Sequence, residues 1–226
     1  MTDPNQPPLD YRLRLIFAKK RQIKYIGHLD LVLAWERALR RAQIPLAYSK
    51  GFNPHPKIQV ASSLPLGTTG SAEIMDIIVT RPVAPVEALE RIRPALPEGI
   101  ELHSVEEIPL KAPILQNLLR QAEYRVTVET ELSAGELTGR IEALLATDKI
   151  VQTRQRKKRA EEIDLRPWLH HLRLESVANG EACLRLRLTA GQFGNLRPEA
   201  VLKALGLADN WAEVERTRLI FAMGDR

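Results

Sequence analysis

Between Arg12 and Phe221 the apolar residues run through the same order of periods twice, and this order constrains the fold most. Arg12–Ala18 alternates as a strand, with Leu13, Leu15 and Phe17 on one face and Arg12, Arg14 and Ile16 on the other. A helix follows from about His28 to Gln43, because Leu31, Ala34, Trp35, Ala38, Leu39 and Ala42 form a single stripe. Gly27 or His28 caps it, and Glu36 and Arg40 stand at i, i+4 on its outer side. Leu46–Ser49 and Lys57–Ser62 read as extended chain. Ile74–Thr80 reads as a strand, Val86–Leu96 as a helix after Pro85, and Ile100–Ile108 as a strand.

The second pass begins with a strand at Tyr124–Glu129 and a helix at Ala134–Ala146. A strand starts at Ile150, and "EEIDLRPWLHHLRLE" intervenes before a strand at Cys183–Leu188. A helix at Pro198–Leu205 and a strand at Glu213–Phe221 close the pattern. The expected class is α+β, with two tandem ferredoxin-like (βαββαβ) units. The expected boundaries are a disordered leader over 1–10, a first unit over 11–110, a connector over 111–121 and a second unit over 122–226. In this plan both helices of a unit cover one sheet face. The other face, which holds Arg12, Arg14, Arg185 and Arg187 by alternation, meets solvent, a partner or a ligand.

Composition removes several chemistries. The chain has one cysteine, Cys183, so it has no intramolecular disulfide framework, which fits a reducing cytoplasm. Its five histidines show no metal-ligand spacing, and no GxGxxG, GxxxxGK[ST] or GxSxG motif occurs. No cofactor or metal is expected, and no apolar run approaches the ~20 residues of a membrane span.

Charge is informative where it clusters. Arg12 to Lys57 holds eleven Lys/Arg, Lys19, Lys20, Arg21 and Arg37 among them, against Asp30 and Glu36. A second run, "RQRKKR", carries Arg154, Arg156, Lys157, Lys158 and Arg159. Such clusters attract phosphate backbones by counterion release, and they also serve as plain solvated surface.

The first cluster runs into "AYSKGFNPHPKIQVASSLPLG", Ala47 to Gly67. Gly51 permits a positive φ, while Pro54 and Pro56 restrict the residues before them, so the loop is stiff and fixes Asn53 and His55. Phe52 is expected to anchor it in the core. "KYIGHLD" sets Lys24, His28 and Asp30 at a helix start, and "EIDLRPWLHHL" adds Asp164, Arg166 and Trp168. The candidate binding residues are therefore Lys24, His28, Asp30, Arg40, Arg41, Lys50, Asn53, His55 and Lys57. The 154–159 cations, Asp164 and Arg166 complete the set.

The stretch "YIGHLDLVLAWERALRRAQIPLAYSKGFNPHPKIQVASSLPLG", with "IDLRPWL" and "NLRPEAVLKAL", resembles a bacterial family of radical-SAM-associated proteins of unknown function. Members occur alone or fused to the C-terminus of a radical-SAM protein, and Gly27 stands where the family usually has serine. The resemblance implies a cytoplasmic partner of a separately encoded radical-SAM enzyme. The tandem plan is also similar in fold to CRISPR repeat-processing endonucleases, without their glycine-rich C-terminal loop.

Three functions are compatible with these residues. The leading one is a non-catalytic accessory module that binds structured RNA or another polyanion. The second is a metal-independent RNA endonuclease or RNA-modifying enzyme with His28 or His55 as acid or base. The third is a protein-interaction scaffold whose cations meet an acidic surface.

Overall fold

The computed structural model describes residues 10–156 and 159–222 and divides the chain into two compact units. The first extends through Leu118 and the second covers Leu119–Ala222. Both are antiparallel sheets backed by helices, so the α+β class and the pair of ferredoxin-like units hold.

In the first unit the order is β1 (Tyr11–Lys19), α1 (His28–Arg41), β2 (Ile58–Val60), β3 (Thr68–Val79), α2 (Pro85–Ile92), β4 (Ile100–Ile108) and a single turn, α3 (Leu115–Leu118). The sheet runs β4-β1-β3, and β2 pairs with β3. Leu13, Leu15 and Phe17 are at most 1% exposed and join Trp35, Leu39, Met75, Ile77 and Ile92 in one core. Phe17 meets Trp35 edge to face at 5.0 Å between ring centroids, a favoured aromatic geometry. The helix expected to reach Leu96 ends at Ile92. Pro94 has no N–H to continue it, so Arg93–Ala95 tightens into a 3₁₀ turn.

The second unit contains β5 (Leu119–Glu129), α4 (Ala134–Ala146), β6 (Val151–Arg156), β7 (Arg159–Asp164), β8 (Leu169–Ala178), β9 (Glu181–Thr189), α5 (Pro198–Ala204) and β10 (Ala212–Phe221). Its main sheet runs β10-β5-β9-β8, and β6 and β7 form a separate hairpin. Leu184, Leu186 and Leu188 are fully buried on the helix side. Ser133 and Glu136 form a reciprocal capping box that starts α4.

One expectation is corrected here. The strand beginning near Ile150 belongs to the inserted hairpin, and β8, which begins inside the segment read as intervening and runs past its end, is the unit's second strand. Register shifts between Leu169 and His171 and between Leu174 and Ser176 break the two-residue period that marks a strand. The Asn179-Gly180 turn, with φ of 54° and 78°, then joins β8 to β9.

Candidate functional site

The 47–57 loop leaves the first unit's sheet through paired backbone. Lys57 N–H donates to Ala47 O at 2.8 Å, and Tyr48 bridges to Pro56. Farther out, Ser49 N–H donates to His55 O at 2.8 Å, while the His55 N–H donates to Ser49 Oγ at 2.9 Å. These bonds brace the loop on both sides of a tip of five residues, Lys50 to Pro54, all exposed. Gly51 has φ of 134°, the left-handed conformation expected of it. Phe52 is the correction: its side chain is fully exposed, at 106%, and anchors nothing in the core. Closure of the loop by backbone bonds removes the need for a core anchor.

Lys50, Asn53 and His55 are exposed beside Phe52, and their side chains make no hydrogen bond among the described residues. Arg40 lies at the loop's base, bonded to Glu36 at 3.1 Å and to Tyr48. The Tyr48 hydroxyl, followed by the Glu36 charge, raises the Arg40 pKa further.

Other predicted residues have structural employment. Lys57 pairs with Asp10 at 2.9 Å, Lys20 with Glu101 at 3.0 Å, and Arg41 donates to Ala95 O at 2.6 Å. Lys19, counted among the clustered cations, is 1% exposed. Its ammonium donates to the carbonyls of Lys24 at 2.9 Å and Ile26 at 3.3 Å, fixing the turn that leads into α1. A buried ammonium must be satisfied in this way, so it is withdrawn from any ligand.

Lys24 lies over the Tyr25 ring at 5.1 Å. His28 is the first residue of α1, and its Nδ1 is buried without a hydrogen-bond partner among the described residues. The Asp30 carboxylate folds back over Gly27, where a Cβ would lie 3.4 Å from Oδ2 and where the helix N-terminus favours negative charge. Among the described residues no bond joins His28 to His55.

In the first unit the outer sheet face is also taken. Arg12 and Arg14 both bond Asp76, and Arg12 donates to Ala112 O and Pro113 O of the connector. The connector thus docks on this face at Arg12.

In the second unit Asp164 and Arg166 are structural. Asp164 Oδ1 accepts the N–H groups of Ile150 at 2.9 Å and Arg166 at 3.0 Å, closing the hairpin's base. Those backbone bonds hold its carboxyl below the usual range. Arg166 donates to Leu145 O, in the last turn of α4, and to Leu169 O. The indole of Trp168 packs on Gly194, where a Cβ would approach to 2.8 Å. Lys157 and Lys158 lie outside the described residues, as do the side chains of Arg154, Arg156 and Arg159. The backbone pairing of Arg154 with Glu161 and of Arg156 with Arg159 puts these three arginines on the β6–β7 hairpin.

The second unit's outer sheet face carries what the sequence reading half found. Arg125, Arg185 and Arg173 stand directly opposite one another on β5, β9 and β8, and Arg187 lies in the next row beside Glu123 and His171. Arg185 and Arg187 were placed on this face by alternation. Arg125 and Arg173 were missed, Arg173 because β8 was not recognised.

Among the described residues no cluster of His, Cys, Asp and Glu has the arrangement of a metal site, and no helix is long and apolar enough to cross a membrane. The model of a family described as an uncharacterized protein conserved in bacteria (DUF2344) matches residues 12–198. No curated protein matches the chain. A chain in the crystal structure of a Cbf5-Nop10-Gar1 complex is similar in structure with a TM-score of 0.52 and 12% identity, covering 92% of this chain and 48% of that one. A chain in the structure of an H/ACA RNP bound to a substrate RNA containing 2'-deoxyuridine has a TM-score of 0.49 and 12% identity, with 92% and 47% covered. The present chain thus spans about half the length of these neighbours, and at 12% identity the likeness to the Cbf5-Nop10-Gar1 chain is one of fold.

Proposed function

We propose that this chain, which belongs to the DUF2344 family of uncharacterized proteins conserved in bacteria, binds RNA as a non-catalytic accessory module. The observation that carries the reading is Phe52, wholly exposed at the tip of a loop braced by backbone bonds. An unpaired base stacks on such a ring for about 1–3 kcal/mol, whatever its identity. Lys50 and His55 beside it suit phosphate and sugar, and Asn53 suits a base edge. Because the loop is held before any ligand arrives, little ordering entropy opposes binding.

The resemblance of 25–67 to radical-SAM-associated proteins supports a cytoplasmic role beside a separately encoded radical-SAM enzyme, to which this chain presents RNA. Recovery of a radical-SAM protein with the tagged chain from nuclease-treated lysate tests that partnership.

RNA binding is tested by filter binding of single-stranded RNA at rising salt. Affinity falls as salt rises, with a log–log slope of about −0.7 for each phosphate contact. Phe52→Ala weakens binding about 5- to 150-fold, the equivalent of one lost stack. Equal binding by wild type and Phe52→Ala would remove the loop from the interface.

A further inference from the structure

We infer that the outer sheet face of the second unit is a binding site for the phosphodiester backbone of RNA, occupied in the free protein by Glu175 in place of a phosphate. The inference rests on the RNA-binding reading above, and concerns a different surface.

The three arginines Arg125, Arg185 and Arg173 form one row across three adjacent strands. Like charges directly opposite each other destabilise a sheet, so strand pairing gives no reason for the row. One carboxylate answers all three. Glu175 Oε1 accepts from Arg173 at 3.0 Å and from Arg185 Nε at 3.1 Å. Its Oε2 stands 3.6 Å from Arg125, too far for a good hydrogen bond, and 3.5 Å from the Cys183 thiol.

Glu175 reaches this position through the β8 bulge, since the register shifts between Leu174 and Ser176. Bulges of this kind re-aim a side chain out of the regular pleat. The side chains of Arg125 and Arg173 remain 48% and 58% exposed while that of Glu175 is 20% exposed, so the guanidiniums open outward around a more sheltered carboxylate. Arg187, bonded to Glu123 at 2.9 Å and still 46% exposed, extends the positive surface along β9.

A carboxylate offers two oxygens to three forked donors, whereas a phosphodiester adds bridging oxygens and comes in series along a strand. Guanidinium forks match phosphate geometry closely. Displacement of Glu175 by a phosphate keeps every arginine paired and frees the carboxylate to water. Arg125, loosely engaged by Glu175, gains most from the exchange.

The test is fluorescence anisotropy of a labelled oligouridylate of about twelve nucleotides against the full chain. Glu175→Gln removes the competitor, so it binds about 5- to 10-fold more tightly at low salt, with a log–log salt slope steeper by about 0.7. Arg125→Ala and Arg173→Ala each make the slope shallower by about the same amount. Folding of each variant is checked by circular dichroism and Tm. Affinity in a folded Glu175→Gln equal to or below wild type overturns the proposal. Should that variant not fold, unchanged slopes in both arginine variants overturn it. Wild-type binding that falls in Phe52→Ala but ignores residues 125, 173 and 175 overturns this site alone. No binding by any variant overturns it together with the RNA reading. Full competition by inorganic phosphate at equal ionic strength marks a small-anion site and overturns the RNA assignment.

Discussion

Arg12 and Asp76 form an ion pair whose side chains are 4% and 1% exposed, closed by Arg14 on the same carboxylate at 2.9 Å. Two guanidiniums share one anion, and Arg12 passes its remaining donors to the Ala112 and Pro113 carbonyls. The pair ties β1 and β3 to the connector. Asp76→Ala strands a buried cation, so it destabilises the first unit by about 3–5 kcal/mol. Urea unfolding followed by Trp35 fluorescence measures this. A loss under about 1 kcal/mol would show that the connector carbonyls alone satisfy Arg12.

His170 pairs through Nε2 with Thr189 Oγ1 at 2.7 Å. Burial, followed by the nearby Arg187 charge, holds its imidazole below the usual histidine value. The folded protein therefore resists a proton that the unfolded chain accepts. The stability contribution is complete above about pH 6.5, the unfolded value, and is lost as pH falls toward the lower folded value. His170→Gln flattens the decline of Tm between about pH 7 and 5. An unchanged decline would rule His170 out as its source.

Asp164 anchors the β6–β7 hairpin by accepting the Ile150 and Arg166 N–H groups, and these bonds depress its pKa. Its contribution is present above the unfolded value near ~3.9 and disappears as pH falls through the lower folded value. Asp164→Ala raises hydrogen-exchange rates at the Ile150 and Arg166 amides by about tenfold or more at neutral pH. Protection equal to wild type would mean the hairpin base is closed by other contacts.

Gly194 abuts the Trp168 indole with no room for a Cβ. Gly194→Ala forces the ring or the loop aside and costs about 1–3 kcal/mol. A shift in tryptophan emission accompanies the lowered Tm. The three tryptophans Trp35, Trp168 and Trp211 are separated by repeating the measurement in a Trp168→Phe background.

Elements with intact periods were legible in the sequence. Ile100–Ile108 and Ala134–Ala146 have the boundaries read from the residues: the helix because its apolar stripe keeps helical spacing throughout, the strand despite a register shift against β1 between Leu102 and Ser104. β8 was not legible as a strand, because two bulges shift its register and hide the alternation of Leu169, Leu172 and Leu174. The Asn179-Gly180 pair was the signal that could have exposed it, being a strong two-residue hairpin cue. In the candidate site, the stiffness of the 47–57 loop and the left-handed Gly51 were readable from local chemistry. The exposure of Phe52 was not, because hydrophobicity alone does not say whether a ring points inward or out.

The sequence by itself determined the repeated α+β plan, the inward faces of the regular strands and the braced loop, all consequences of short-range geometry and periodic burial. Tertiary structure alone decided which cations are available. It buried Lys19 under backbone carbonyls, locked Arg12 to Asp76 and set Arg125, Arg173 and Arg185 in one exposed row. The reason is that a charge's availability depends on which distant groups reach it, and strand register, not local sequence, sets those neighbours.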